Sequence, residues 1–118
     1  MRLIEFGPAQ ARAIAEYSSR GASAVPLGSG SGPGHVYAIH VEPGGEIGPH
    51  PAGFGQLFLV VVGSGWVSGP DGVRRGLRAG QGAHIARGEL HAKGSADGML
   101  AVMIQMHELE PAPGGGAA

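Results

Sequence analysis

The chain has no cysteine among its 118 residues. That excludes a disulfide framework, thiol catalysis and thiolate metal ligands. Charge is scarce too: 14% of residues are charged and the formal net charge is −1. With no basic patch and no run of one sign, neither nucleic acid nor a membrane surface is expected as a partner. The longest apolar run, Leu57 to Val62, is six residues, far short of the roughly 20 that span a bilayer. The segment Met1-Arg2-Leu3-Ile4-Glu5-Phe6-Gly7-Pro8 has no apolar stretch of signal-peptide length, so a cytoplasmic protein is expected. The length suits one domain with one core.

What the chain does have is glycine, 24 residues of 118, interleaved with β-type apolar segments. Many short strands joined by tight turns follow from that pattern. Pro8–Tyr17 is the sole helical candidate, Ala22–Leu27 reads as an edge strand, and Gly28–Gly34 reads as a flexible loop. No Gly-Lys-Ser/Thr follows that loop, so it is no phosphate cradle. Strands are expected over His35–Glu42, Glu46–Ala52, Gln56–Val62, Trp66–Ser68, Val73–Arg78, Gly82–Ala86 and Met99–His107. Gly63-Ser64-Gly65 and Gly69-Pro70-Asp71-Gly72 serve as turns among them. So many strands in so short a chain indicate an all-β sandwich or barrel. Residues 1–34 form its N-terminal part, 35–108 the barrel and 109–118 a flexible tail.

Two glycine-bracketed spacings carry the most information. The first runs Gly44, His50, Ala52, Gln56, Gly63; the second runs Gly80, Ala86, Gly88, His91. Together with Pro43-Gly44-Gly45, Gly63-Ser64-Gly65-Trp66 and Leu77-Arg78-Ala79-Gly80-Gln81-Gly82, they make Pro43–Gln105 resemble a small cupin of the RmlC-like jelly-roll type. Against the cupin motifs, Ala52 stands at the second histidine position, Gln56 at the glutamate position and Ser95 at the closing asparagine position.

The resemblance implies a single-domain jelly-roll β-barrel whose interior holds a site, and a homodimer as the assembly. In the full motif, two histidines on one strand face share a metal with a glutamate and a later histidine. Here that implies at most a reduced metal site on His50, Gln56 and His91, with His84 as a substitute third ligand. It would hold one divalent transition metal (Zn, Fe, Mn, Ni or Cu) weakly, since an imidazole and a carboxylate donor are gone. Two functions stay open. In one, the barrel binds a small organic molecule (a sugar, an acid or another metabolite) through His50, Gln56, His91, Phe58 and Trp66. In the other, it is an isomerase, cyclase or dioxygenase using His50 and His91, with or without metal. Glu46 shares strand parity with His50 but lies roughly 13 Å from it along a regular strand, which suits the cavity mouth and not the same ion. Glu89 reads as a solvated loop charge, and His35, His40 and His107 lack ligand-like spacing. Tyr37 and Phe54 are expected in the core, and Met99, Met103 and Met106 in packing or a dimer contact.

Overall fold

The computed structural model describes residues 1–113. Its strands are β1 (Arg2–Glu5), β2 (Arg12–Ala13), β3 (Ser23–Ala24), β4 (Gly28–Val41), β5 (Glu46–Pro51), β6 (Gly55–Ser68), β7 (Arg74–Arg78), β8 (Gln81–Ile85), β9 (Leu90–Gly94) and β10 (Met99–Pro111). One layer has the order β1-β8-β6-β10-β4. A second is built on the far half of β6, which pairs with β7 on one side and β9 on the other, with β5 beyond β9. Every ladder is antiparallel, and the two layers enclose the core as an open jelly-roll barrel.

β6 joins the layers because its sequence suits burial on both faces. Phe58 and Val60 point into the barrel core with Ala83, Ile85, Ala101 and Met103. Leu57 and Leu59 sit on the outer face with Ile4, against Phe6, Leu27, Ile104 and Leu109. At about 25 cal/mol per Å² of apolar surface buried, this two-sided strand is the main apolar anchor of the fold. Gly63-Ser64-Gly65, expected as a turn, is a bend within β6. Gly63 holds φ +80° there, and a Cβ would run into the Gly98 carbonyl, so only glycine lets the strand cross from one layer to the other.

Three further expectations change. Pro8–Tyr17 forms no α-helix: two 3-10 turns, Pro8–Gln10 and Glu16–Ser18, flank β2. Ten residues with no buried side chain cannot offset the cost of helix nucleation. The expected edge strand Ala22–Leu27 shrinks to β3, which pairs with β2. Gly28–Gly34, expected as a loop, is the first half of β4, laddered to Met106–Pro111 of β10. Its small residues permit close approach, since a Cβ at Gly34 would lie 2.9 Å from the Gln105 carbonyl oxygen. The tail expected from residue 109 begins with three residues of β10; its positions 114–118 lie outside the described residues. Among the described residues no helix is long and apolar enough to cross a membrane.

Candidate functional site

β5 and β9 place His50 directly opposite His91, with ring centroids 4.4 Å apart. His91 is buried, and its Nδ1 lies 3.1 Å from the Glu89 carbonyl oxygen. A carbonyl can only accept, so Nδ1 carries the proton and Nε2 is left as a lone pair. That Nε2 is buried without any hydrogen-bond partner. Burial depresses the His91 pKa to about 4; the Glu89 hydrogen bond opposes this, while Lys93 and His50 reinforce it. The imidazole is neutral at pH 7. His50 is fixed in the same way, Nδ1 against the Gly48 carbonyl at 2.8 Å, but is exposed at the rim.

Two residues beyond His91, and so on the same face of β9, Lys93 points into the barrel at 1% exposure. Its Nζ donates to Gln56 Oε1 at 2.5 Å, lies 3.4 Å from Met103 Sδ and sits 4.8 Å from the Phe58 ring centroid. Among the described residues no carboxylate pairs with it. Burial alone lowers its pKa from 10.5 to about 8. Gln56 reaches it from the other layer: it is 1% exposed and shares the inward face of β6 with Phe58.

The inner face of the first layer continues onto β4. Across the first layer Gln56 faces Gln105, which faces His35; one pair further on, Phe58 faces Met103, which faces Tyr37. Paired residues share a face of the sheet, so His35 and Tyr37 continue the inner wall onto an edge strand, where Tyr37 is 46% exposed. His35 stacks on Phe54, centroids 5.9 Å apart and planes 8° from parallel. β4 ends one layer, β5 ends the other, and no ladder joins them among the described residues. His50, Tyr37, His35 and Phe54 lie along these two edges, and His91, Gln56, Lys93, Met103 and Phe58 are buried behind them.

The fold is shared with known structures, although no protein-family model and no curated protein matches the sequence. A cupin superfamily protein from Desulfitobacterium hafniense superposes with TM-score 0.59 at 13% identity, covering 66% of this chain and 71% of that one. A conserved Streptococcus pyogenes protein of unknown function gives 0.58 at 16%, covering 62% and 63%. A Thermotoga maritima protein described as a predicted oxalate decarboxylase gives 0.53 at 19%, covering 60% and 64%. This chain has the cupin fold. It spans less than two thirds of the length of the Streptococcus and Thermotoga proteins.

Set in the cupin barrel, the residues singled out by sequence divide. Gln56, His91 and Phe58 share one buried interior, and His50 meets His91 from the exposed edge. His84 does neither: it pairs with Leu57 in β6 and Arg2 in β1, on the outer face of β8, while Ala83 and Ile85 point inward. Trp66 is also outside. It lies opposite Gly94, where a Cβ would meet its ring at 2.5 Å, and the Arg74 guanidinium covers it at 3.8 Å. Its neighbour Val67, opposite Lys93, takes the inward position. Ala52 is buried in the core cluster. Ser95 is a turn clamp, donating to the Ser64 carbonyl at 2.5 Å and accepting from the Gly98 N–H at 2.7 Å.

Cupin barrels of the full motif hold a metal, and the residues here do not fit one. No three His, Cys, Asp or Glu side chains converge among the described residues. The remaining oxygen donor, Gln56 Oε1, is taken by the Lys93 ammonium, which would repel a divalent ion at close range. Lys93 is the residue that sequence reasoning missed, because Leu90–Gly94 is not legible as a strand on propensity alone. The signal was the spacing: if His91 faces inward on a strand, position 93 must as well.

Proposed function

We propose that the barrel binds a small organic acid, with the ligand carboxylate meeting the Lys93 ammonium and a ligand donor group meeting His91 Nε2. One observation carries this reading: a fully buried lysine with no carboxylate partner lies on the same strand face as a buried imidazole nitrogen with no partner. Burying a charge without an opposite charge is costly, and an incoming anion would offset that cost. Phe58 and Met103 supply the apolar wall, and His50 and Tyr37 stand where the ligand enters. The Thermotoga neighbour described as a predicted oxalate decarboxylase is named for a small acid, which agrees with this choice of ligand class. A metal plays no part in it.

The test is thermal unfolding at pH 7 with glyoxylate, pyruvate and lactate, each against its uncharged amide or alcohol analogue. The acids should stabilise, by about 2.7 kcal/mol at a hundredfold excess over Kd. The amides should bind at least about tenfold more weakly, as loss of a charge-assisted contact demands. Lys93→Met should abolish the preference and His50→Ala should weaken binding while leaving the fold intact. Equal stabilisation by acids and amides, or an unchanged preference in Lys93→Met, overturns the reading.

A further inference from the structure

We propose that Lys93 is also a nucleophile, and that the acids this barrel takes are 2-oxo acids, which condense with Nζ to form an iminium. The proposal rests on the acid-binding reading above and goes one step past it. Lys93 is the chain's only lysine, so its full burial is a feature of this position and not the fate of one surface lysine among many. Its surroundings are an amide oxygen, a thioether sulfur and an aromatic face. None of these neutralises the nitrogen in an ion pair, and none competes with a carbonyl carbon as an electrophile. Buried, desolvated amines of this kind are activated for addition to carbonyl groups, and a pKa near 8 leaves about a tenth of the group as free amine at pH 7.

The step balances within the site. Nitrogen adds to the carbonyl carbon to give a carbinolamine, and the carbon–oxygen bond then breaks. Of the three protons on the ammonium, two leave with that oxygen as water and one remains on the iminium nitrogen. The His91 Nε2 lone pair, on the same face of β9, can take a proton from nitrogen and hand it to the departing oxygen. The iminium keeps the single positive charge where the ammonium had it, next to the carbon that bears the carboxylate. Binding and condensation therefore use one charge in succession. Met103, against Nζ, is flanked in its row by the half-exposed Tyr37, the side from which an acid would have to reach the amine.

Reductive trapping tests this. The wild-type protein is incubated at pH 7 with glyoxylate or pyruvate and cyanoborohydride, with acetaldehyde as the carbonyl lacking a carboxylate. Adducts are then located by peptide mapping. The chain's only other primary amine, the α-amino group of Met1, is scored separately. Lys93 should be modified to completion by the oxo acids, at least about tenfold faster in the folded protein than in urea, and at least about tenfold faster than by acetaldehyde. Lys93→Met should show Met1 labelling alone, and His91→Gln should slow trapping by about a hundredfold. Thermal shift with the same acids, without reductant, separates the two ideas. Stabilisation with no Lys93 adduct refutes the nucleophile and keeps the acid site; no stabilisation and no adduct refutes both. A Lys93 adduct that forms no faster folded than unfolded also refutes the nucleophile.

Discussion

Replacing Lys93 with methionine removes a buried ammonium and leaves a side chain of similar length in its place. An amine with pKa lowered from 10.5 to about 8 on folding is charged in both states below pH 8. There the fold carries the whole cost of burying the charge, on the order of 3 kcal/mol at about 1.4 kcal/mol per pKa unit. Between pH 8 and pH 10.5 the unfolded chain retains a proton that the folded one has released, so this cost fades and stability rises with pH. Methionine never bears the cost, but it strands Gln56 Oε1 in the barrel, which costs about 1–3 kcal/mol. The two effects oppose each other at neutral pH and only the second survives in base. Lys93→Met should therefore be the more stable protein at pH 7 by roughly 1 kcal/mol and the less stable at pH 10.5 by about 1–3 kcal/mol. Adding Gln56→Leu should recover the full gain of about 3 kcal/mol at pH 7. Urea unfolding of both proteins across this range measures the gap, and taking the difference cancels every titration they share. A gap that stays constant from pH 7 to pH 10.5 would mean Lys93 is not buried as a lone cation, and the site built on it would fall.

His91 gives the mirror-image dependence on the acid side. With its pKa depressed from 6.5 to about 4, it is neutral in both states above pH 6.5. As pH falls toward 4, only the unfolded chain takes up the proton, so about 3 kcal/mol of stability should be lost. His91→Gln should flatten that stretch of the urea-midpoint profile, and an unchanged slope would place the titration elsewhere. The missing metal ligands make a third prediction. Ala52→His with Gln56→Glu restores the absent donor types, since Ala52 lies in the core cluster and Gln56 faces inward. With Lys93 in place the new carboxylate should pair with the ammonium and bind no divalent ion tightly. Adding Lys93→Met should bring a stoichiometric ion by elemental analysis. A double variant that binds metal with Lys93 intact would show that the lysine is no obstacle.

The fold was legible because the motif spacings are glycine spacings, and glycine is read by backbone geometry alone. Gly44, Gly63, Gly80 and Gly88 all hold φ between +80° and +89°, where other residues are strained. The same spacings put His50 and His91 in register across two strands. Parity failed wherever a bend or loop reset it. His84 could not be counted through the Arg87–Leu90 connection and lands on the outer face; Trp66 lies past the bend at Gly63 and turns outward. Gly28–Gly34 has the composition of a linker, yet β10 offers it a complete row of backbone partners. Lys93 was hidden for a related reason. Leu90-His91-Ala92-Lys93-Gly94 is poor in β-branched residues, so tertiary pairing with β5 and β6, not propensity, makes it a strand.

Gln56 is what ties the departures from the cupin motif together. A glutamate there would have paired with Lys93 and produced a neutral ion pair, raising the lysine pKa and leaving nothing to attract an anion. Glutamine holds the ammonium by a carbonyl oxygen without cancelling its charge. The glutamine at position 56 and the lysine at position 93 therefore act together, and the central cation of the barrel is part of the chain. The unpartnered Nε2 of His91, which would face a metal in the full motif, would on the proposed function meet a ligand beside that charge instead. If the barrel binds the proposed acid, a site so arranged should select for negative charge by long-range attraction and for hydrogen-bond donors by the imidazoles. Unlike a metal site, it should be indifferent to chelators.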